Sequence, residues 1–193
     1  DLSWMSLPED GQITVSSEVA DSVRAFHLVK CQRAKHVSTV PDWMTVRLLE
    51  AGFSLHHPVV NILNYAMLET GQPFHAYSGA LSNDFHLSGG DNQSLQLLND
   101  DEVVIDEKTL VINNDGKPAC IAGYMGGLSS ASQPDDEYIY VEAACFILEQ
   151  VAYHCRRYVD FTQSGSRFER GIDVGFVTSA LQRALDLLEK YAG

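Results

Sequence analysis

The sequence predicts an α+β fold in which helices flank a central block of mixed and antiparallel strands. Near the end of the chain, apolar residues such as Val177, Leu181 and Leu188 recur at helical spacing, which indicates a final helix over 174–191. Between residues 85 and 122, short apolar runs are instead separated by Gly, Asn and Asp. That pattern is typical of short strands joined by tight turns.

The first half of the chain predicts one strand and then two helices. Residues 23–31 (VRAFHLVKC) have β-rich character with loose alternation. A helix over 41–51 has Pro41 in its first turn and Gly52 after its end, and a second helix over 61–70 ends before Gly71.

The later elements are short apolar runs bounded by turn residues, and they begin after residue 84. Strands are predicted at 85–87, 95–98, 110–112, 120–122 and 138–142, followed by a helix over 146–158 and the final helix. The chain has no internal repeat and no low-complexity linker. Residues 1–193 are therefore predicted to form a single module.

Composition limits the classes of function. Thirteen basic against 26 acidic residues give a net charge of −13, which disfavours broad binding to nucleic-acid backbones but leaves recognition of one nucleotide end possible. No apolar run is long enough for a membrane span, and residues 1–12 lack the features of a secretion signal. The four cysteines form no CxxC pair, which predicts buried thiols in a reducing cytoplasm and gives no metal site.

Two residues stand out as candidates for chemistry. His75 follows Pro73, just after a predicted helix, and a histidine there can orient a water molecule or move a proton. The alternative is a structural histidine that is hydrogen-bonded to nearby backbone. Glu142 lies in an apolar strand, where a buried carboxylate must pair or face a polar cleft and could accept a hydrogen bond from a ligand hydroxyl; the alternative is an edge residue that faces water. Both alternatives remain open for each residue.

Two loop segments are also candidates, with weaker signals. The glycine-rich run at 122–127 permits close approach of a ligand to the backbone, or simply forms a turn. At 162–173, Arg167, Glu169, Arg170 and Asp173 form either an ion-pair network or a surface that presents arginine to a phosphate.

Read together and in order, five motifs resemble those of the bacterial phenylalanyl-tRNA synthetase β subunit. Residues 64–77 (NYAMLETGQPFHAY) resemble the family's TNYVMLE…GQPLHAFD, and residues 122–127 (AGYMGG) resemble AGVMGG. Residues 141–146 (VEAACF) resemble LEAAFF, residues 166–173 (SRFERGID) resemble SSRFERGVD, and residues 41–48 resemble PSPxWL..RL. The resemblance covers about residues 23–188.

The resemblance implies an editing module made of two intertwined subdomains, which hydrolyses tyrosine wrongly attached to tRNA(Phe). A synthetic pocket that fits phenylalanine excludes an added hydroxyl poorly, so a second site must read that hydroxyl. By resemblance, Glu142 accepts the tyrosine hydroxyl, while His75 and Asn64 lie near the ester and the attacking water. Gly126, Thr162 and Ser164 match walls of the pocket, and Leu63 stands where the family has Thr.

The resemblance also sets expectations for partners and cofactors. The partners are the aminoacyl end of tRNA(Phe) and, through the rest of a longer chain, the α subunit, in the cytoplasm and without a membrane. No cofactor is expected in this piece, whereas the parent enzyme uses ATP and Mg²⁺. The sequence departs from the family pattern at Leu63, Ser164 and Ser78, and Leu63 and Ser164 leave open a catalytically weak binding or scaffold module. A free-standing relative that acts on other aminoacyl-tRNAs or metabolites is a further alternative.

Overall fold

The structure is a computed structural model that describes residues 13–33, 37–158 and 161–192. The expectation about a secretion signal at residues 1–12 falls outside these ranges. The strands in chain order are β1 (Ile13–Val15), β2 (Val23–Gln32), β3 (Phe74–Ser78), β4 (Phe85–Gly89), β5 (Ser94–Gln96), β6 (Glu102–Val104), β7 (Leu110–Asn114), β8 (Lys117–Ile121), β9 (Met125–Gly126) and β10 (Tyr138–Phe146). The helices are α1 (Asp42–Glu50), α2 (Pro58–Thr70), α3 (Leu148–Tyr158), α4 (Gln163–Phe168) and α5 (Val177–Ala192), with 3₁₀ turns at Ser17–Ser22, Leu128–Ser130 and Val174–Phe176.

The strands form three sheets, which together with the flanking helices confirm the predicted α+β class. The largest sheet has the order β1-β4-β7-β8-β9, the second has the order β2-β10-β3, and β5 pairs with β6. The β1–β4 pair is parallel, whereas the other pairs are antiparallel, so the sheet is mixed as predicted.

Strand β10 lies at the centre of the molecule because both of its faces are covered. On one face, Val141, Ala143 and Cys145 join the core formed with α1, α2 and α5. On the other face, Tyr140 and Ala144 join the core formed with the five-stranded sheet. Since side chains alternate along a strand, Glu142 projects from this second face, on the side of the five-stranded sheet.

The predicted helices are confirmed, with shifted boundaries. The helix predicted over 41–51 begins at Asp42, because Pro41 takes an extended conformation just before the first turn. The helix predicted over 61–70 begins one turn earlier, at Pro58, a position where proline needs no amide partner. It ends as predicted, since Gly71 adopts a left-handed conformation with φ 78°.

Later boundaries also differ from the sequence predictions. The helix predicted from residue 146 begins at Leu148, because Phe146 completes β10 and is buried between the sheet and α4. The final helix opens with a 3₁₀ turn at Val174–Phe176 before the α-helical part.

The predicted strands are all found, but two are displaced. The strand predicted at 95–98 is β5, which begins one residue earlier and ends two residues earlier. The strand predicted at 120–122 is β8, which begins three residues earlier and ends before Ala122. Within the described ranges, every helix is too short or too polar to cross a bilayer.

Candidate active site

A cavity of about 440 Å³ opens between α2, β3, the β8–β9 turn and α4. That size is typical of small-molecule sites. Six residues singled out from the sequence line it together, although they come from distant parts of the chain: Leu63, Asn64, His75, Gly126, Thr162 and Ser164. Their roles remain predictions, but their placement around one cavity gives those roles a common location.

The turn that places His75 in this cavity is fixed by its neighbours. Gly71 reverses the chain after α2, and the buried Gln72 side chain donates a hydrogen bond to the carbonyl oxygen of Ala144 on β10 at 3.0 Å. Strand β3 then starts in register with β10, so that His75 lies opposite Glu142. Cross-strand partners project from the same face of a sheet, and the register therefore brings these two side chains together.

Glu142 lies at the end of a smaller inner chamber of about 40 Å³. This space can hold a hydroxyl group or a water molecule, but not an aromatic ring. His75, Gly126 and Ser164 line both the chamber and the larger cavity, so the two spaces adjoin at these residues. The chamber walls are otherwise mainly apolar and aromatic, with contributions from Phe74, Tyr124, Met125 and Phe168.

The Glu142 carboxylate is buried and has a partner inside the protein. Its side chain accepts a hydrogen bond from the Tyr77 hydroxyl, with 2.5 Å between Tyr77 Oη and Glu142 Oε2. Burial raises the pKa of Glu142 to about 7, although the hydrogen bond from Tyr77 opposes that rise. The interpretation of Glu142 as an edge residue facing water is therefore wrong, and the interpretation as a paired carboxylate is confirmed.

His75 is held against the backbone of the glycine-rich turn. A methyl group added at Gly126 would lie 2.4 Å from His75 Cε1 and 2.6 Å from its Nε2, so the glycine leaves just enough space for the ring. The ring also packs edge-on against Tyr77, with centroids 4.4 Å apart. The buried Nε2 atom has no hydrogen-bond partner among the described residues, which disagrees with a structural bond to backbone through that atom.

Burial also determines the protonation of His75. Loss of hydration lowers its pKa to about 4, so the imidazole is neutral near pH 7. A neutral imidazole with a free nitrogen can accept a hydrogen bond from water or from a ligand hydroxyl. Because its pKa is far below 7, this ring is better suited to holding a water molecule than to removing a proton completely.

Helix α4, which was not predicted from the sequence, supplies the opposite wall. Thr162 caps it, since its Oγ1 accepts a hydrogen bond from the Gly165 amide at 2.9 Å. Ser164 lies between the cavity and α2, with its Oγ 4.0 Å from Met67 Sδ. Thr162 thus has a structural role in addition to lining the cavity.

Replacement of Thr162 by alanine is expected to destabilise α4 by about 1 kcal/mol, because the first turn loses its capping acceptor. Serine at the same position retains the oxygen and should restore most of that stability. Hydrogen exchange of the Gly165 amide measures the effect directly. Equal protection in the alanine and serine variants would show that the cap contributes nothing.

The ion-pair network predicted at 162–173 is wrong for the described part of the chain. Arg167 instead donates to the carbonyl oxygen and side-chain oxygen of Gln163, at 2.9 and 2.8 Å. Asp173 caps the following turn by accepting from the Gly175 amide at 2.9 Å. The ion pairs that the described residues form lie elsewhere, at Arg157–Asp106 and Arg183–Glu69.

Several residues of the site were not identified from the sequence. Tyr77 could have been identified as a neighbour of His75, because residues two positions apart in a strand project from the same face. His57 and Ser132 also line the cavity and contact each other, with 3.2 Å between His57 Nε2 and Ser132 Oγ. They are 75 residues apart in sequence, so no local pattern could have paired them.

The described part of the chain contains neither a cluster of metal ligands nor a disulfide bond. No group of three or more His, Cys, Asp or Glu residues there is arranged to hold a metal ion. All four cysteines are free: Cys120 and Cys145 are buried, whereas Cys31 and Cys155 are partly buried. The expectation that ATP and Mg²⁺ serve the parent enzyme concerns a longer protein and stays a prediction.

Comparison with known proteins gives consistent matches. The model of the B3/4 domain matches residues 22–193. The phenylalanine–tRNA ligase β subunit of Legionella pneumophila (strain Lens) is 35% identical over the whole chain, and that of Francisella tularensis is 32% identical over the whole chain. The corresponding subunit of Acinetobacter baylyi is 39% identical over 81% of the chain.

The chain spans only part of these relatives. It covers 26% of the Legionella subunit, 25% of the Francisella subunit and 20% of the Acinetobacter subunit. The matches confirm the resemblance that the ordered motifs indicated.

Proposed function

The chain belongs to the B3/4 domain family, and we propose that it is the editing module of a phenylalanine–tRNA ligase β subunit, which hydrolyses Tyr-tRNA(Phe). The observation that carries this proposal is the buried Glu142 carboxylate at the end of a chamber that admits a hydroxyl group. A buried hydrogen-bond acceptor discriminates strongly between ligands with and without a hydroxyl, because the ligand that lacks it leaves the acceptor unpaired.

In this proposal the tyrosine ring lies in the larger cavity and its hydroxyl enters the inner chamber. The aromatic and thioether side chains of Phe74, Tyr124 and Met125 offer surfaces for the ring. A hydrogen bond to an ionised carboxylate is stronger than one between neutral groups, so Glu142 favours tyrosine over phenylalanine. The absence of a side chain at Gly126 leaves room for the His75 ring, which lines both the cavity and the chamber.

The ester then lies near His75 and Asn64, which line the same cavity. His75 accepts a hydrogen bond from the attacking water and orients it toward the ester carbonyl carbon. The Asn64 amide can donate to the carbonyl oxygen, where negative charge develops as water adds. The bond between the carbonyl carbon and the ribose oxygen then breaks, and that oxygen takes up the proton given up by the water, so that free tyrosine and the tRNA are released. The neighbouring ribose hydroxyl, which carries no ester, can relay this proton, since the low pKa of His75 makes the ring a poor base.

The acidic character of the chain fits a module that depends on its surroundings for RNA binding. With a net charge of −13, it is poorly suited to hold the tRNA backbone by itself. We therefore assign most phosphate contacts to other parts of a cytoplasmic αβ enzyme. The ATP and Mg²⁺ used for aminoacylation likewise belong to the synthetic site on the α subunit, outside this chain.

The proposal is tested by deacylation of Tyr-tRNA(Phe) and Phe-tRNA(Phe) by the full-length enzyme and by two variants. Glu142→Ala should reduce the preference for Tyr-tRNA(Phe) by about 10- to 100-fold, which corresponds to loss of a hydrogen bond to a charged group. His75→Ala should slow hydrolysis of both substrates, by roughly 100-fold, without erasing the preference.

A matched control is Glu102→Ala, because Glu102 is an exposed glutamate on β6 and lies outside the cavity. It should hydrolyse both substrates at the wild-type rates. Background hydrolysis by the wild-type enzyme and both site variants would refute the proposal and favour the scaffold alternative. A preference for Tyr-tRNA(Phe) that survives Glu142→Ala would refute the assigned role of Glu142.

A further inference from the structure

The Tyr77 hydroxyl binds one oxygen of the Glu142 carboxylate in the interior of the fold. Tyr77 Oη lies 2.5 Å from Glu142 Oε2, and Tyr77 is completely buried. Both residues belong to paired strands, since Glu142 lies opposite His75 and Tyr77 follows His75 by two positions. The contact is therefore fixed by the register of the β3–β10 pair.

We infer that Tyr77 is a positioning residue for Glu142, whose hydroxyl holds Oε2 and leaves Oε1 to receive a ligand hydroxyl from the inner chamber. Tyr77 thereby sets both the orientation of this acceptor and the pH range in which it is charged. The inference deepens the proposed function and rests on it for the identity of the ligand, the tyrosyl ester.

The surroundings of Glu142 leave Tyr77 as the main stabiliser of its charge. The titratable groups that face this region are His75 and Tyr77 on β3, Cys120 on β8 and Tyr124 in the β8–β9 turn. The described residues that line the chamber include no lysine or arginine. Since burial disfavours the carboxylate form, the hydrogen bond donated by Tyr77 opposes the rise in the pKa of Glu142.

The change that isolates this hydroxyl is Tyr77→Phe, which removes one oxygen atom and keeps the rest of the side chain. The same change leaves the ring packing against His75 and Phe85 available.

The test compares the wild-type full-length enzyme with its Tyr77→Phe variant in deacylation of Tyr-tRNA(Phe) and Phe-tRNA(Phe) from about pH 6 to about pH 8. In the wild type, the ratio of the two rates should rise with pH through the ionisation of Glu142. In Tyr77→Phe the midpoint of that rise should move to higher pH, and the ratio at neutral pH should fall by roughly 10-fold.

Tyr140→Phe is the matched control. Tyr140 lies on the same face, next to Tyr77 across the strands, but its hydroxyl bonds to Asn83 and to the carbonyl oxygen of Leu81. Its removal should leave the midpoint and the ratio unchanged. A Tyr77→Phe profile that coincides with that of Tyr140→Phe would overturn the inference while leaving the editing function intact.

A second measurement keeps the inference separate from the editing function. Infrared difference spectra detect the carbonyl band of a protonated carboxyl group, and loss of the band in Glu142→Gln assigns it to Glu142. The titration midpoint of this band should rise in Tyr77→Phe whether or not the enzyme edits, and an unchanged midpoint overturns the inference. If Tyr77→Phe does not fold, the wild type decides: ionisation of Glu142 should shift the carbon–oxygen stretching band of the Tyr77 phenol, because its hydroxyl then donates to a charged oxygen, and a band that does not move with pH overturns the inference.

Discussion

Replacement of Gly126 by alanine is expected to reduce hydrolysis of Tyr-tRNA(Phe) by roughly 100-fold while leaving the fold intact. The added methyl group would lie 2.4 Å from His75 Cε1, which is closer than carbon atoms can approach. The imidazole must therefore rotate or shift. A displacement of about 1 Å in a positioning group can lower a rate by about 100-fold.

The fold should tolerate this change, because the three atoms nearest to the new methyl group belong to side chains and not to the backbone. Apart from the His75 ring, its nearest neighbour is the end of the flexible Leu98 side chain, at 3.3 Å. Gly175→Ala is the matched control: its methyl group would meet only the Asp173 side chain at 3.4 Å, which is an ordinary contact. Deacylation kinetics and thermal unfolding of both variants separate the two effects. Wild-type kinetics in Gly126→Ala would mean that the position of the His75 ring does not limit the reaction.

Elements with a strong local pattern were predictable from the sequence. The final helix carries a continuous apolar stripe, and α2 ends where Gly71 permits a left-handed turn. Strand β10 was recognised from its β-branched and aromatic residues, but its full length was not. Its alanine and cysteine residues have no strong local preference for a strand, and pairing with β2 and β3 on both sides extends it to Phe146.

The elements that were missed depend on distant partners. Strand β3 has only five residues, of which His75 and Ser78 are polar, and it is a strand because β10 provides a hydrogen-bonding edge. Helix α4 contains Gly165 and follows a capping threonine, and its short sequence has too few apolar residues for a helical period.

The residues of the site were only partly predictable from the sequence. The ordered motifs of the family identified residues that line the cavity, although the chemistry of each residue alone did not. The Tyr77–Glu142 contact joins residues 65 positions apart and depends on strand register. Neither the burial of Glu142 nor the lack of a hydrogen-bond partner for His75 Nε2 among the described residues can be inferred from the sequence, since each depends on which distant segments pack around the side chain.

Replacement of His154 by alanine is expected to lower the free energy of unfolding by about 2 to 3 kcal/mol near pH 7. His154 is completely buried and bridges two parts of the larger sheet. Its Nε2 accepts a hydrogen bond from the Leu110 amide at 3.0 Å, so Nδ1 carries the proton and donates to the carbonyl oxygen of Ala122 at 3.0 Å. Alanine leaves both backbone groups without their partner.

The stabilising effect of His154 should depend on pH in a defined direction. Burial lowers its pKa from 6.5 to about 4 in the folded protein, so the unfolded chain binds the proton more readily. Its contribution is therefore complete above about pH 6.5 and declines as pH falls toward 4. Urea denaturation of the 193-residue chain and of His154→Ala should show a difference in stability that shrinks between about pH 7 and about pH 5.

His86→Ala provides the comparison, because His86 is a partly exposed histidine whose ring bonds to the Ser16 hydroxyl at 2.9 Å. Its loss should cost less than about 1 kcal/mol, since water can replace the lost partner. A difference between wild type and His154→Ala that stays constant with pH would contradict a buried, neutral imidazole. It would mean that His154 stabilises the sheet by packing alone, since the hydrogen bond from the Leu110 amide requires an unprotonated Nε2.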